Sequence, residues 1–217
     1  MKRLTITWIG LLCLTAALWA QKGANSGFLF DQFTDGIVYY RDGKQFGVPL
    51  NYNFLTRQFV FVDKKDDNRQ KEFSEPALIV AIEIDGRTFL PPSEGATEII
   101  QSEPPFYVSY TGTIKSEKSV AYGGTTQTAS VDAYSQARGV GQLGGADGTE
   151  RSLASINKEY RIKIGKKNKR FSTSKQFLKL FPLQKEALTR YLEEQPVDFN
   201  NTAQVLELYR YACRSGQ

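Results

Sequence analysis

The 217-residue chain contains no histidine, and its two cysteines are Cys13 and Cys213. The commonest general base is therefore missing. With it go Ser-His-Asp and Cys-His nucleophile systems and imidazole-bound zinc, and one cysteine near each end builds no thiolate metal cage. Carboxylate pairs, Ser-Lys arrangements and clusters of cations remain. Glu83 and Asp85 share one face of an apparent strand, but period-two alternation puts polar residues there opposite Val80, Ile82 and Ile84 whether or not they react. Asp63 opens an acidic stretch, yet a calcium loop needs oxygen ligands at fixed spacing and Lys65 occupies the third position. Gly139 to Gly144 matches GxGxxG, without the preceding buried strand and following helix that would aim backbone N–H groups at a pyrophosphate. Lys166, Lys167, Lys169 and Arg170, in the run GKKNKR, are the candidate anion-binding residues, suited to phosphates or anionic glycans. The same run also suits a solvated hairpin tip. We assign no catalytic, cofactor-binding or metal-ligating residue and expect a protein without enzymatic activity.

The elements that would position these residues begin at Ile37. If Asp42-Gly43 is a two-residue hairpin loop, Tyr39 lies opposite Phe46 and Ile37 opposite Val48. Phe46, Val48, Leu50, Tyr52 and Phe54 then keep one face, with Gln45, Gly47, Pro49, Asn51 and Asn53 on the other. A four-residue loop at Leu55 to Gln58 pairs Phe54 with Phe59 and Tyr52 with Phe61. Asp85-Gly86 repeats the hairpin signal, with Ile82 opposite Phe89 and Glu83 opposite Thr88. Lys64 to Lys71 reads as a polar connection, Pro91-Pro92 and Pro104-Pro105 bracket a turn region, and Phe106 to Lys115 alternates as another strand. Glu159 to Ile164 and Phe171 to Thr173 form a closing hairpin around Gly165 to Arg170.

The last quarter reads as helical. Thr173-x-x-Gln176 is a capping box, Pro182 opens a new helix, and Leu183, Ala187, Leu188, Tyr191 and Leu192 follow at helical spacing. Asn201-x-x-Gln204 caps a further helix with Val205, Leu208, Tyr209 and Ala212 on its apolar side, and Cys213 packs within it. The expected fold class is α+β: a curved antiparallel β-sheet, a meander or partial barrel, capped by two or three C-terminal helices.

Residues 1–20 carry Lys2 and Arg3 ahead of the uncharged apolar run Leu4 to Ala20, the pattern of a secretory signal peptide. Residues 21–217 then form a single α+β domain with a glycine-rich insert at about 119–149, where seven glycines fall between Gly123 and Gly148. Such a stretch buries little apolar area and is expected to be a loop that serves binding. The chain has 28 basic and 23 acidic residues, and loss of Lys2 and Arg3 leaves 26, an excess too small to imply nucleic acid. After the leader, no segment is apolar enough to span a membrane as a helix.

LNYN.LT..FVF at Leu50 to Phe61, K.FLKLFP..K..L..Y from Lys175 to Tyr191, and D...N...V..L..Y from Asp198 to Tyr209 together resemble a family of small exported proteins of Gram-negative bacteria without an established activity. The resemblance implies a periplasmic or surface location, outer-membrane-associated in the latter case, and a non-enzymatic role; the leader, the lack of catalytic machinery and two candidate binding surfaces, the 119–149 loop and the basic hairpin, make an envelope protein, glycan or lipid the expected partner. A carboxylate-dependent hydrolase of envelope polysaccharide and a carrier for an apolar ligand are the alternatives. The hydrolase requires two facing carboxylates about 5 to 10 Å apart, and the carrier a cavity of several hundred Å³.

Overall fold

The computed structural model describes residues 27–118, 143–144 and 149–215, so residues 1–20, expected to be a leader, and most of the glycine-rich insert lie outside the described residues. The strands are β1 (Thr34–Tyr40), β2 (Gln45–Asn53), β3 (Gln58–Asp63), β4 (Arg69–Glu72), β5 (Ile79–Ile84), β6 (Arg87–Phe89), β7 (Ala96–Gln101), β8 (Phe106–Lys118), β9 (Leu143–Gly144), β10 (Thr149–Ile164) and β11 (Lys167–Phe171). The helices are α1 (Ser174–Leu180), α2 (Lys185–Glu194) and α3 (Thr202–Ser215). One antiparallel sheet runs in the order β11-β10-β8-β7-β6-β5-β1-β2-β3-β4, with β9 paired to β10 beside this path. The sheet is open, and the α+β class expected from the sequence is the one found.

The first hairpin corrects the expected register. Tyr40 accepts a hydrogen bond from Gly43 and donates one to Lys44, so three residues, Arg41 to Gly43, form the loop, and Gly43 takes a positive φ of 85°. Val38, not Tyr39, therefore faces Phe46, and Gly36 faces Val48. A shift of one residue exchanges the two faces of a strand. Val38 is fully buried while Ile37 and Tyr39 sit on the other, partly exposed side. Replacing Val38 by alanine is expected to cost about 2 kcal/mol and replacing Ile37 by alanine well under half of that. Urea denaturation of the two variants checks the register, and equal losses would restore the two-residue loop.

The second turn is displaced by two residues, which leaves the face unchanged. Tyr52 pairs with Phe59 and Leu50 with Phe61, with Phe54 moved into the turn. The Asp85-Gly86 hairpin forms as expected, with Ile82 opposite Phe89 and Glu83 opposite Thr88. Both turn residues adopt positive φ, 52° and 69°, which is what a two-residue loop of this type requires.

The sheet curls until strands far apart in the order touch. Phe59 on β3 packs against Phe89 on β6 at 5.6 Å between ring centroids, although three strands separate them. At Gly112 on β8 the turn after β2 comes closer than any side chain would allow. A Cβ there would lie 2.9 Å from Cβ of Phe54 and 2.6 Å from Leu153. Inside the curl, Tyr52, Phe54, Phe59 and Phe89 meet edge to face. Phe46, at the rim, is 41% exposed but still touches Phe61.

A second buried cluster lies where Phe106 and Val108 of β8, Tyr160 and Ile162 of β10, and Phe171 of β11 receive the helices. Thr173 caps α1 by accepting from the Gln176 amide, while the Gln176 side chain accepts from the amide of Ser172. Asn201 caps α3 in the same way, and Val205, Leu208, Tyr209 and Ala212 form its buried side, as expected. Leu183 departs from expectation. The three residues from Pro182 form a 3₁₀ turn instead of the start of α2, which rotates Leu183 outward to 97% exposure. Tyr110 packs against both clusters and joins them.

Two stretches read as connections are strands, and one strand is longer than expected. Arg69–Glu72 pairs with β3, Ala96–Gln101 lies between the proline pairs, and β10 begins at Thr149, ten residues before the strand seen in the sequence.

Candidate functional site

The four candidate cations do not share a loop. The hairpin tip is Gly165-Lys166 alone, because Ile164 pairs with Lys167, and Lys167, Lys169 and Arg170 belong to β11. Alternation then divides them between faces: Lys167 and Lys169 lie opposite Ile164 and Ile162, while Arg170 lies opposite Arg161. All four are exposed. They therefore form a basic strand and not a pocket.

The carboxylates considered in the sequence are also apart from one another in role. Glu83 accepts a hydrogen bond from the Tyr39 hydroxyl at 3.0 Å, which raises the Tyr39 phenol above its usual range, and Asp85 forms the hairpin turn. The acidic stretch after Asp63 encloses a cation of the chain itself, since Lys71 Nζ on β4 lies 2.7 Å from Asp63 and 2.9 Å from Asp66. No group of three or more His, Cys, Asp or Glu side chains that could hold a metal occurs among the described residues.

A buried charged cluster went unrecognised in the sequence. Glu98 on β7 accepts from Arg87 of β6 through Nε at 3.0 Å and Nη2 at 2.7 Å, and from the Tyr110 hydroxyl of β8 at 2.6 Å. Its side chain is 9% exposed and that of Arg87 30%. The guanidinium carbon stands 4.9 Å from the ring centre of Phe30 and 5.3 Å from those of Phe89 and Tyr110. Residues 27–30 reach this position because Phe28 bridges to Asn53, and the Asn51 side chain bonds the backbone of Phe30 and Gln32. Asn51 and Asn53, expected to face away from the wall, are thus buried beneath this segment. The bidentate pair and phenol commit the Glu98 carboxylate to the fold. The signal available in the sequence was Glu98 itself, a charge at an inward position of Thr97-Glu98-Ile99-Ile100.

Burial, then the hydrogen bond and charge of Glu98, push the Tyr110 phenol well above its ordinary value of 10.0. The folded state therefore prefers the protonated phenol more strongly than the unfolded chain does. Its contribution to stability is complete below pH 10.0 and is lost as pH climbs toward the raised value. Tyr110→Phe is expected to make the loss of stability above pH 10 less steep, read by urea melts between pH 8 and 11. An unchanged slope would show that Tyr110 does not set it.

On the opposite face Arg161 pairs with Glu94 at 2.8 Å and lies over the Tyr107 ring, fastening the turn before β7 to β10. Between α2 and α3 a groove of about 530 Å³ is floored by Tyr191, Val197 and Leu206 with Arg210 at its rim.

β8 and β10 make the most unusual surface. β7 pairs with β8 only from Phe106 to Tyr110, and β11 pairs with β10 only from Tyr160 to Ile164. Beyond those points the two strands continue together to Lys118 and Thr149, with a bulge between Leu153 and Ser155. The result is a ribbon of β8 and β10, joined near its far end by β9 at Glu150 and Arg151, whose strands lead into the glycine-rich insert. No family model, characterised protein or solved structure is found to match the chain.

Proposed function

We propose that this is an exported, non-enzymatic cell-envelope protein, periplasmic or outer-membrane-associated, that works as a binding or assembly module for an envelope protein, glycan or lipid. The observation that carries this reading is the β8–β10 ribbon, which extends past its neighbouring strands and holds the insert at its far end. A rigid sheet that delivers a long loop is a common way to build a binding surface. Two further features support binding over chemistry. Glu83 and Glu98 are each engaged by side chains of the fold, and the interior of the curl is occupied by the rings around Phe89. Export rests on the leader at residues 1–20. No helix of the described residues is long and apolar enough to cross a membrane.

Chemical crosslinking in intact envelopes followed by gentle extraction tests the proposal. A discrete higher-mass adduct is expected, and deletion of residues 123–148 should abolish it. Recovery of the protein alone, with the deletion changing nothing, would overturn the reading.

A further inference from the structure

β11 ends the sheet. β10 pairs with one side of it, and no strand among the described residues pairs with the other. A free edge presents N–H and C=O groups at the repeat of an extended chain, and an isolated lysine is a common means of keeping other strands away. Here the charge is a run. Lys166, Lys167 and Lys169 take part in no ion pair among the described residues, and Arg170 has only a 3.5 Å contact to Glu159. Lys163 on β10, opposite Asn168, is exposed on the same face as Arg170. The edge strand thus carries Lys167 and Lys169 on one face and Arg170 on the other, where Lys163 of the adjoining β10 stands beside it.

That division discriminates between anionic partners. A membrane is a plane and would meet the cations of one face while leaving the other pair in water. An anionic glycan could follow the charges but would not complete the backbone hydrogen bonds of the edge. An extended polypeptide lying in the plane of the sheet meets both requirements. Its side chains alternate above and below with the same repeat of roughly 6.6 to 6.8 Å between like-facing positions, so carboxylates at alternate residues match Lys167 and Lys169 in one register.

We propose that β11 is the docking edge for an extended acidic segment of another protein, which adds to the sheet as a further strand. The inference rests on the binding-module reading above and names a partner chemistry for it. It concerns a surface separate from the insert.

The probe is a labelled twelve-residue peptide of glutamates with threonine at every fourth position, which carries carboxylates on both faces when extended, titrated against chain 21–217 by fluorescence anisotropy. We expect saturable binding that weakens as salt rises, and at least about tenfold weaker binding when two threonines are replaced by proline, which removes N–H donors at unchanged charge. Joint Lys167→Gln and Lys169→Gln substitution, both at exposed positions, should also weaken it at least about tenfold, with circular dichroism unchanged. Polyuronate and vesicles containing anionic lipid serve as competing arms. No binding of the peptide, equal binding of its proline form, or tighter binding of polyuronate or vesicles would overturn the proposal. Deletion of 123–148 should leave peptide binding intact, so failure of the envelope crosslink and failure of this titration are separate results.

Discussion

Replacement of Glu98 by alanine is expected to lower stability by about 2–4 kcal/mol. Among the described residues the carboxylate removed is the only acidic group bonded to Arg87, and it also accepts the Tyr110 hydroxyl. What remains is a guanidinium against three aromatic rings and a phenol without its acceptor, both drawn out of water. Breaking a fully buried pair costs roughly 3–5 kcal/mol, and the 30% exposure of Arg87 moves the expectation downward, since water can reach part of the group left behind. Joint replacement, Arg87→Met with Glu98→Leu, should be milder than Glu98→Ala alone, because no unpaired charge is left in the interior. Equilibrium urea denaturation gives both values. A loss below about 1 kcal/mol for Glu98→Ala would mean that the pair is solvated and does not hold β6, β7 and β8 together.

Phe171→Ala is the larger of the two, at about 3–5 kcal/mol. The ring is buried at the meeting of sheet and helices, 4.9 Å from Phe177 of α1, 5.5 Å from Tyr160 of β10 and 6.3 Å from Phe199 before α3. For a domain of this size the loss corresponds to a fall in melting temperature of roughly 6 to 20 °C, read by calorimetry. Because the aromatic cluster around Phe89 meets this one through Tyr110 while their buried residues are distinct, hydrogen exchange should accelerate first in α1 to α3 and later in β1 to β6. Uniform acceleration would show that the two clusters act as one.

Legibility in the sequence divided along the line between local and long-range forces. The caps at Thr173 and Asn201 and the buried side of α3 depend on residues within two turns of one another, and they stand where the spacing put them. Asp85-Gly86 has a two-residue loop, as its dipeptide suggests, but Asp42-Gly43 with the same dipeptide does not. There, Tyr40 bonds Lys44 across a three-residue loop, while the other side of β1 pairs with β5. The difference lies in neighbours distant in sequence. Because strand side chains alternate, that single residue moved Ile37 and Tyr39 off the core. β7 stayed hidden for a related reason: proline pairs flank it, and Glu98 resembles a solvent-facing residue until Arg87 and Tyr110 are brought beside it. The first half of β10 shows no apolar alternation because its contact with the core is made at Leu153. The basic run was visible as a charge cluster, but its division between two faces depended on where the turn fell.

The order of strands has a consequence for how quickly the fold is reached. β1 to β4 follow one another as neighbours, and so do β5 to β8 and β10 to β11, so among the described residues two main seams join strands that do not follow directly along the chain, β1 against β5 and β8 against β10. The hairpins within these runs close cheaply, while one seam must bring together ends separated by β2, β3 and β4 and the other must close over the stretch between Lys118 and Thr149. The search for the native state is therefore dominated by these two long closures, and the curl that brings Phe59 to Phe89 exists only after the first of them.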